Sequence, residues 1–554
     1  MAAGAARDES SYVVTPGKAW LYVALVAAWL LSGVSGHDPW KPDEAENFGI
    51  VYSFLQGGNW AVPMLAGEPH LETPPLYHLT AALAAQIAGD WLPLHDAARL
   101  ASPFYLILAL CFLKLAAGRL LGQSEGWIAI ITFICCVGLL LRAHLMAPVT
   151  ASLAGLAIAL HGFALAQKRP LAGGLLLGCG AGIGFLATGA LVPLALAVAA
   201  LLLPAAFAGW RSRAYAGALA VALLAAAPWL AAWPAALHQH SPALFQNWFD
   251  AEVLGMLPGL SQTDALAQAG ALGKTLLWAA WPVLPMAAWT LWQGRGQAPA
   301  QPAVQIGVAL LAGLTLFLAF MPGGGAEGRV LPLLLPLTLL AAAGLHTLRR
   351  GAAAFLDWFG IMTFGLFATL LWLGWINLLT GYPASLAARS GYLRAGVPLG
   401  FDPWAFALGA AITLGWIGFV WRVGLGNRRA VINWAAGITL VWVLAMTLLL
   451  PWVNGFKSYR PVALALKQQL PRGHACVASR GLAEAPRAMF HYHGGIVTQR
   501  LEVKPGAHCD LLLVQSEREI APGAHWRKVW EGARPLEKRE RFRLYQRVAP
   551  GAEG

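Results

Sequence analysis

Thirteen apolar segments of roughly bilayer-spanning length dominate the sequence, and they set its fold class before any motif is considered. They fall near residues 19–35, 97–118, 126–141, 149–167, 171–188, 191–208, 214–233, 271–292, 303–321, 330–348, 353–380, 403–421 and 431–452. About twenty apolar residues cross a hydrocarbon core as a helix, because backbone amides there must be satisfied within the segment. Of 554 residues, 58% are hydrophobic and 12% charged, against about 25% charged in soluble domains. The chain is read as a polytopic α-helical membrane protein. Residues 1–18 are polar and the run Ala19–Val34 lacks a convincing small-residue cleavage site. That run is read as a first span kept in the mature protein.

The net charge of +12 does not indicate nucleic acid, because the basic residues sit in short clusters between apolar segments. Lys114 and Arg119, Lys168 and Arg169, Arg211 and Arg213, Arg295, Arg349 and Arg350, and Arg422, Arg428 and Arg429 all fall on one side if the short apolar piece 76–89 lies along the interface rather than spanning. The positive-inside rule makes that side the cytoplasm, with the N-terminus. The other side then gathers a first loop (36–96), the Arg142/His144 loop, the loops at 234–270 and 322–329, and everything after Pro451.

The first loop holds eight of the 26 acidic residues and, over residues 37–96, only one Lys or Arg, Lys41. Asp43 and Glu44 follow Pro42 where a helix can begin. Carboxylates at a helix start stay ionised and can serve a hydroxyl as base or hold a cation; helix capping is the plainer reading. In Glu72-Thr73-Pro74-Pro75-Leu76-Tyr77 each proline fixes its own φ and keeps its predecessor out of the helical region, which makes the segment rigid and extended. Arg329 follows a glycine run and precedes an apolar span, a position suited to a phosphate at the membrane surface or to ordinary snorkelling. Arg142 and His144 admit the same two readings.

From about Asn454 the composition changes. Helices are predicted at 462–470 and 485–493 and strands at 475–479, 510–514 and 541–548, giving a small α/β domain over 454–554 beside a membrane domain over 1–453. Cys476 and Cys509 lie at strand edges there; they pair in an oxidising compartment, or remain two buried thiols.

Together, Asp43-Glu44-Ala45, the stretch GGNWAVPMLAGEPHLETPPLYHL at 57–79, GIGFLATGALVP at 182–193, PWL at 228–230, FQNWF at 245–249 and GRVLPLLLP at 328–336 resemble the GT-C superfamily of polyprenyl-phosphate-sugar glycosyltransferases. Within it the chain is most similar to the lipid A 4-amino-4-deoxy-L-arabinose transferases and the related protein O-mannosyltransferase-like bacterial family. The resemblance implies thirteen spans, an outer α/β domain, and a catalytic acid at Asp43 with Glu44 completing the pair. It also marks departures. Thr73 stands where the family has Lys, the 142–150 segment lacks a second outward Asp, with Ala147 near its place, Thr188 replaces another Lys, and an Arg near 255–258 is missing.

The resulting expectation is a bacterial inner-membrane enzyme that transfers a sugar from an undecaprenyl-phosphate-linked donor to a periplasmic glycolipid such as lipid A, with inversion if the displacement is a single step. Arg329 and Arg142 are the donor-phosphate candidates. Trp60, His70, Glu72, Tyr77 and His144 are the pocket candidates, and a divalent cation at Asp43 and Glu44 is the one cofactor admitted. Its partners are then donor, acceptor and membrane lipids, not nucleic acid. Competing readings are a degenerate homologue that only binds lipid-linked sugar, a flippase, and a protein- or oligosaccharide-directed transferase. A flippase would carry its ionisable residues within the spans.

Overall fold

The computed structural model describes residues 16–257, 264–293, 301–321, 323, 325–385, 387–388, 397, 399–422, 427–471, 473, 475–506, 508–519, 522–523, 525 and 526–548. Arg295, Pro258, Pro322 and Gly324, which figure in the loop expectations above, lie outside them. Every apolar segment contains helix. Among the described residues nine helices are long and apolar enough to cross a membrane. Two more, α1 (Pro16–Leu31) and Leu191–Ala206, have shorter apolar stretches.

The remaining two segments are broken. The 126–141 segment is helical over Gln123–Ile134 and again over Leu139–Arg142, and the 271–292 segment over Ala265–Ala279 and Val283–Gln293. The breaks face each other: Val137 N donates to Trp281 O at 3.3 Å and Gly138 N to Ala279 O at 2.9 Å. Each interruption thus satisfies the other's freed backbone, the condition under which irregular backbone is tolerated at membrane depth. A Cβ on Gly138 would sit 2.6 Å from that of Ala279, so the approach requires glycine. The expected 234–270 loop is largely helical in its first half. Arg213–His240 runs through Pro228 and Pro234, followed by Pro242–Trp248.

The first loop folds as α2 (Asp43–Leu55), a hairpin of β1 (Met64–Leu65) and β2 (Glu68–Pro69), and α3 (Leu76–Ala88). Three acids, Asp43, Glu44 and Glu46, occupy the first turn of α2, where its dipole favours them. Ala66 and Gly67 both have positive φ, as a two-residue hairpin turn with the strands' twist demands. At 13 residues α3 is about 20 Å long, short of a hydrocarbon core of about 30 Å.

Near the C-terminus β3 (Val477–Arg480), β4 (Thr498–Arg500), β5 (Leu511–Ser516), β6 (Trp526–Ala533) and β7 (Arg541–Arg547) form one sheet in the order β4-β3-β5-β7-β6. β3 is parallel to β4 and β5, and β7 is antiparallel to β5 and β6. Side chains alternate along β5. Leu511 and Leu513 join the main core, while Leu512 and Val514 pack with Ala478, Cys509 and Tyr545 on the other face.

Cys476 and Cys509 lie with Cα atoms 5.0 Å apart and their sulfurs at bonding distance. Closing a loop with a sequence separation of 33 is expected to contribute about 3–4 kcal/mol by limiting the unfolded chain. Dithiothreitol, or Cys476→Ser with Cys509→Ser, is then expected to lower the unfolding midpoint. An unchanged midpoint in reductant would mean the bond does not form.

This sheet region docks on the first loop. Glu68 accepts a hydrogen bond from Arg500 and forms an ion pair with Arg487, each at 3.0 Å. Lys41 reaches Glu537 at 3.0 Å, and Ser458 donates to Asp38 at 2.7 Å. A Cβ on Gly49 of α2 would lie 2.5 Å from that of Ala488, so α2 rests directly on the helix Glu484–Met489.

Candidate functional site

One face of α2 carries Asp43, Glu46, Asn47 and Ile50, the i, i+3, i+4, i+7 spacing of neighbours on a helix. That face lines a cavity of about 230 Å³. The rigid segment before α3 adds His70, Glu72 and Thr73, and the break after residue 138 adds Arg142. Ala147, Thr188 and Leu191 come from the ends of apolar helices. Glu252 and Arg329 complete the polar wall from the far side. The cavity therefore sits where the acidic loop meets the helical body, with polar groups on one side and apolar helix ends on the other.

Its centre is an ion pair between Asp43 and Arg142, with Glu327 3.9 Å from the same guanidinium. Two cavity atoms out of reach of solvent, Arg142 Nε and Thr73 Oγ1, have no hydrogen-bond partner among the described residues. Buried polar atoms normally find partners, so a polar ligand suits this wall. His70 Nδ1 lies 3.5 Å from Glu484 Oε2. Burial disfavours a charged His70, but Glu484, Glu72 and Glu46 outweigh it and raise its pKa. The hydrogen bond from His70 in turn lowers the pKa of Glu484. Burial, then the charges of Glu484 and Glu72, push Glu46 up to about 7. Burial also raises Glu252, against the pull of Arg329.

Asp43, Arg142, Arg329, His70 and Glu72 thus converge. Glu44 does not join them. One residue further round α2, it is buried against the side chain of Arg99, at 2.6 Å, and the backbone N–H groups of Trp40 and Met146. Asp43 and Glu44 share no space that would admit a common cation, and among the described residues no group of three or more His, Cys, Asp or Glu is arranged to hold a metal. The Asp43–Glu44 cation site does not fit.

Tyr77 stands behind the wall. Its hydroxyl shares a 2.7 Å hydrogen bond with Ser102 and accepts from Ala147 N at 3.1 Å. His144 is buried between the carbonyls of Leu140 and Trp29, both at 2.6 Å. Trp60 is half exposed at the surface and lines nothing here.

The sequence reading only counted Glu46 among the loop's eight acids and missed its place in the wall, although Asp43-x-x-Glu46 on a helix puts both on one side. Glu252 carried no comparable signal. The positions marked as departures, Thr73, Ala147 and Thr188, all line this cavity.

The chain superposes on the crystal structure of ArnT from Cupriavidus metallidurans bound to undecaprenyl phosphate with a TM-score of 0.67 at 16% identity, covering 96% of this chain and 98% of that one. The fold is that of ArnT. The apo form of the same protein gives 0.66 at 15% identity, over 95% and 98% of the two chains. In sequence, the undecaprenyl phosphate-alpha-4-amino-4-deoxy-L-arabinose arabinosyl transferase of Pseudomonas aeruginosa UCBPP-PA14 is 30% identical over 349 residues. That match spans 60% of this chain and 60% of the relative's length. A Shewanella sediminis enzyme described in the same words is 28% identical over 97 residues, 18% of this chain and 17% of its own. No protein-family model matches the chain. The resemblance read from the sequence therefore holds, in relatives and in fold.

Proposed function

We propose that this chain is an inner-membrane glycosyltransferase that moves an amino sugar from an undecaprenyl-phosphate donor to a periplasmic glycolipid of the lipid A type. The observation that carries the reading is the Asp43–Arg142 pair inside a polar cavity at the foot of apolar helices, with Arg329 across from it. An amphiphilic donor needs that juxtaposition: its polyprenyl chain lies among the helices and its phosphate faces fixed cations. The P. aeruginosa relative is named for such a donor. Asp43 orients the acceptor hydroxyl, while Arg142 and Arg329 stabilise the departing phosphate as charge builds on it. A single displacement inverts the anomeric centre.

The sign of the wall supports an amine on the sugar. Asp43, Glu46, Glu72 and Glu252 face Arg142, Arg329 and His70, an acidic surplus that an ammonium group offsets. In the same reading all thirteen apolar segments span, α3 lies along the interface, the N-terminus is cytoplasmic, and residues 454–554 form a periplasmic domain. The basic loop clusters and the juxtaposed cysteines, which suit an oxidising compartment, support this orientation.

Mass spectrometry of envelope lipids from cells with and without the chain tests the function. Loss of one amino-sugar addition, with the polyprenyl-linked donor accumulating, is the expected result. An unchanged profile in expressing cells would favour a degenerate homologue instead, a reading to which the neutral Thr73, Ala147 and Thr188 lend weight. Arg329→Ala is expected to lower kcat/KM about 100-fold, in line with losing one transition-state cation, and Arg329→Lys to restore part of it. Steady-state kinetics in nanodiscs with varied donor would measure both.

A further inference from the structure

We propose that Glu484 is a positioning residue for the transfer: from the C-terminal region it fixes His70 in the cavity wall. The inference rests on the transferase reading and adds to it a role for the region after the last apolar helix.

The contact is a matched pair of charges on two elements. Glu484, Arg487 and Ala488 stand at i, i+3 and i+4 on the helix Glu484–Met489, so they share one face. All three meet the first loop. Glu484 Oε2 lies 3.5 Å from His70 Nδ1, Arg487 pairs with Glu68 at 3.0 Å, and Ala488 abuts Gly49 of α2. Glu68 and His70 are two apart on extended backbone and therefore point to the same side. The bond from His70 N to Pro63 O, at 2.8 Å, carries the hairpin's pairing one step past β2. Acid meets base at both points, with the sign reversed between them, and this fixes the register. A slip of one residue would turn both first-loop side chains to the other face.

The helix that makes these contacts is itself held. Ala483 N donates to Gln515 Oε1 of β5 at 2.8 Å, and Ala485 and Met489 are buried in the main core. His70 sits on the short segment between β2 and the prolines before α3, and it lines the cavity beside Glu72 and Thr73. With Nδ1 turned to Glu484, Nε2 is the ring nitrogen left to meet a bound molecule. The charges that act most strongly on the ring are Glu484, Glu72 and Glu46, whereas the cavity's arginines are drawn to Asp43, Glu327 and Glu252. His70 thus belongs to the acidic side of the cavity, which in the transferase reading faces the donor's sugar, and the arginines to the side that faces its phosphate. A carboxylate on one ring nitrogen keeps the other in a fixed direction, and small displacements of such a group cost rate.

The test uses the full chain in nanodiscs with undecaprenyl phosphate-linked 4-amino-4-deoxy-L-arabinose and lipid A. Kcat and KM are measured for wild type, Glu484→Ala, Glu484→Gln, His70→Ala and the His70→Ala/Glu484→Ala double variant. Unfolding midpoints and the calorimetric affinity for undecaprenyl phosphate, which lacks the sugar, are measured alongside. Glu484→Ala is expected to lower kcat roughly 10- to 100-fold, and Glu484→Gln, which keeps an oxygen for Nδ1, to recover part of it. The Glu484 side chain is 41% exposed, so the midpoint and the affinity for undecaprenyl phosphate are expected to stay at their wild-type values. The double variant is expected to be no slower than His70→Ala, because Glu484 acts through the ring. Losses that add in the double variant overturn the proposal. A fall in kcat that comes with a lower midpoint and weaker undecaprenyl phosphate binding also overturns it, making Glu484 a general brace. Wild-type kcat in Glu484→Ala overturns this role and leaves the transferase reading standing, whereas a wild-type chain that transfers nothing overturns both.

Discussion

Glu44→Ala is expected to cost about 3–5 kcal/mol, enough to deplete the folded protein, because it strands a buried guanidinium. Arg99 is fully buried. It is held by Glu44 at 2.6 Å, by Asp96, and by the carbonyls of Val34 at 2.9 Å and His37 at 3.1 Å. This cluster ties the chain leaving α1 to α2 and to the short helix Leu94–Arg99, so its loss frees the whole base of the first loop. Set against the roughly 5–15 kcal/mol that separates folded from unfolded states in a typical domain, the effect is large. Glu44→Gln keeps the shape but not the charge, and is expected to fall between wild type and alanine. A Glu44→Leu/Arg99→Met double variant is expected to be more stable than the sum of its single changes, since it removes both charges together. Unfolding midpoints of detergent-purified protein, with Glu44→Leu and Arg99→Met included, measure these differences.

The same pair sets an acid limit on the fold. Burial alone would raise Glu44, but Arg99 and His37 outweigh it and hold its pKa below the ordinary value of 4.5. The unfolded chain therefore binds the proton more readily. The contribution is fully present above about pH 4.5 and is lost as pH falls toward the lower folded value. Glu46 behaves oppositely. Its folded pKa lies above the unfolded one, so its ionisation weakens the fold as pH rises from about 4.5 to 7. Glu46→Gln is expected to raise the unfolding midpoint at pH values above 7.

These contrasts show why part of the site was legible in the sequence and part was not. Apolar runs are long, local signals, so the helices could be placed from composition. The break in 271–292 is marked by Pro282, whereas Cys135-Cys136-Val137-Gly138 carries no proline and is held open by hydrogen bonds to Trp281 and Ala279, distant in sequence. In the C-terminal region, two of the three strands read from sequence have compact apolar runs and the third, 541–548, alternates apolar with polar residues. β4 is three residues long and β6 is largely exposed, so neither offers a hydrophobic pattern to read. Asp43, His70, Glu72, Arg142 and Arg329 were selected by residue type and position, and they do meet. Glu44 was selected by the same criteria and turns into the protein, because adjacent residues on a helix differ by about 100° in direction; His144, beyond the end of the Leu139–Arg142 helix, is drawn inward by the carbonyls of Leu140 and Trp29.

Asp43→Asn tests that difference directly, and its outcome should be the reverse of the one at Glu44. The Asp43 and Arg142 side chains are 37% and 24% exposed, so losing the pair is expected to cost no more than about 1 kcal/mol of stability. Activity should fall much further. If the carboxylate orients the acceptor while Arg142 faces the phosphate, the neutral amide misaligns the hydroxyl and leaves the guanidinium free to bind phosphate in the ground state. Kcat is expected to drop at least 100-fold, the scale of a lost positioning or proton-handling group, with KM for the donor unchanged or lowered. Binding of undecaprenyl phosphate, read by calorimetry, should tighten for the same reason. Wild-type kcat in Asp43→Asn would remove Asp43 from the chemistry altogether. A raised KM with unchanged kcat would make the pair a donor-binding device alone.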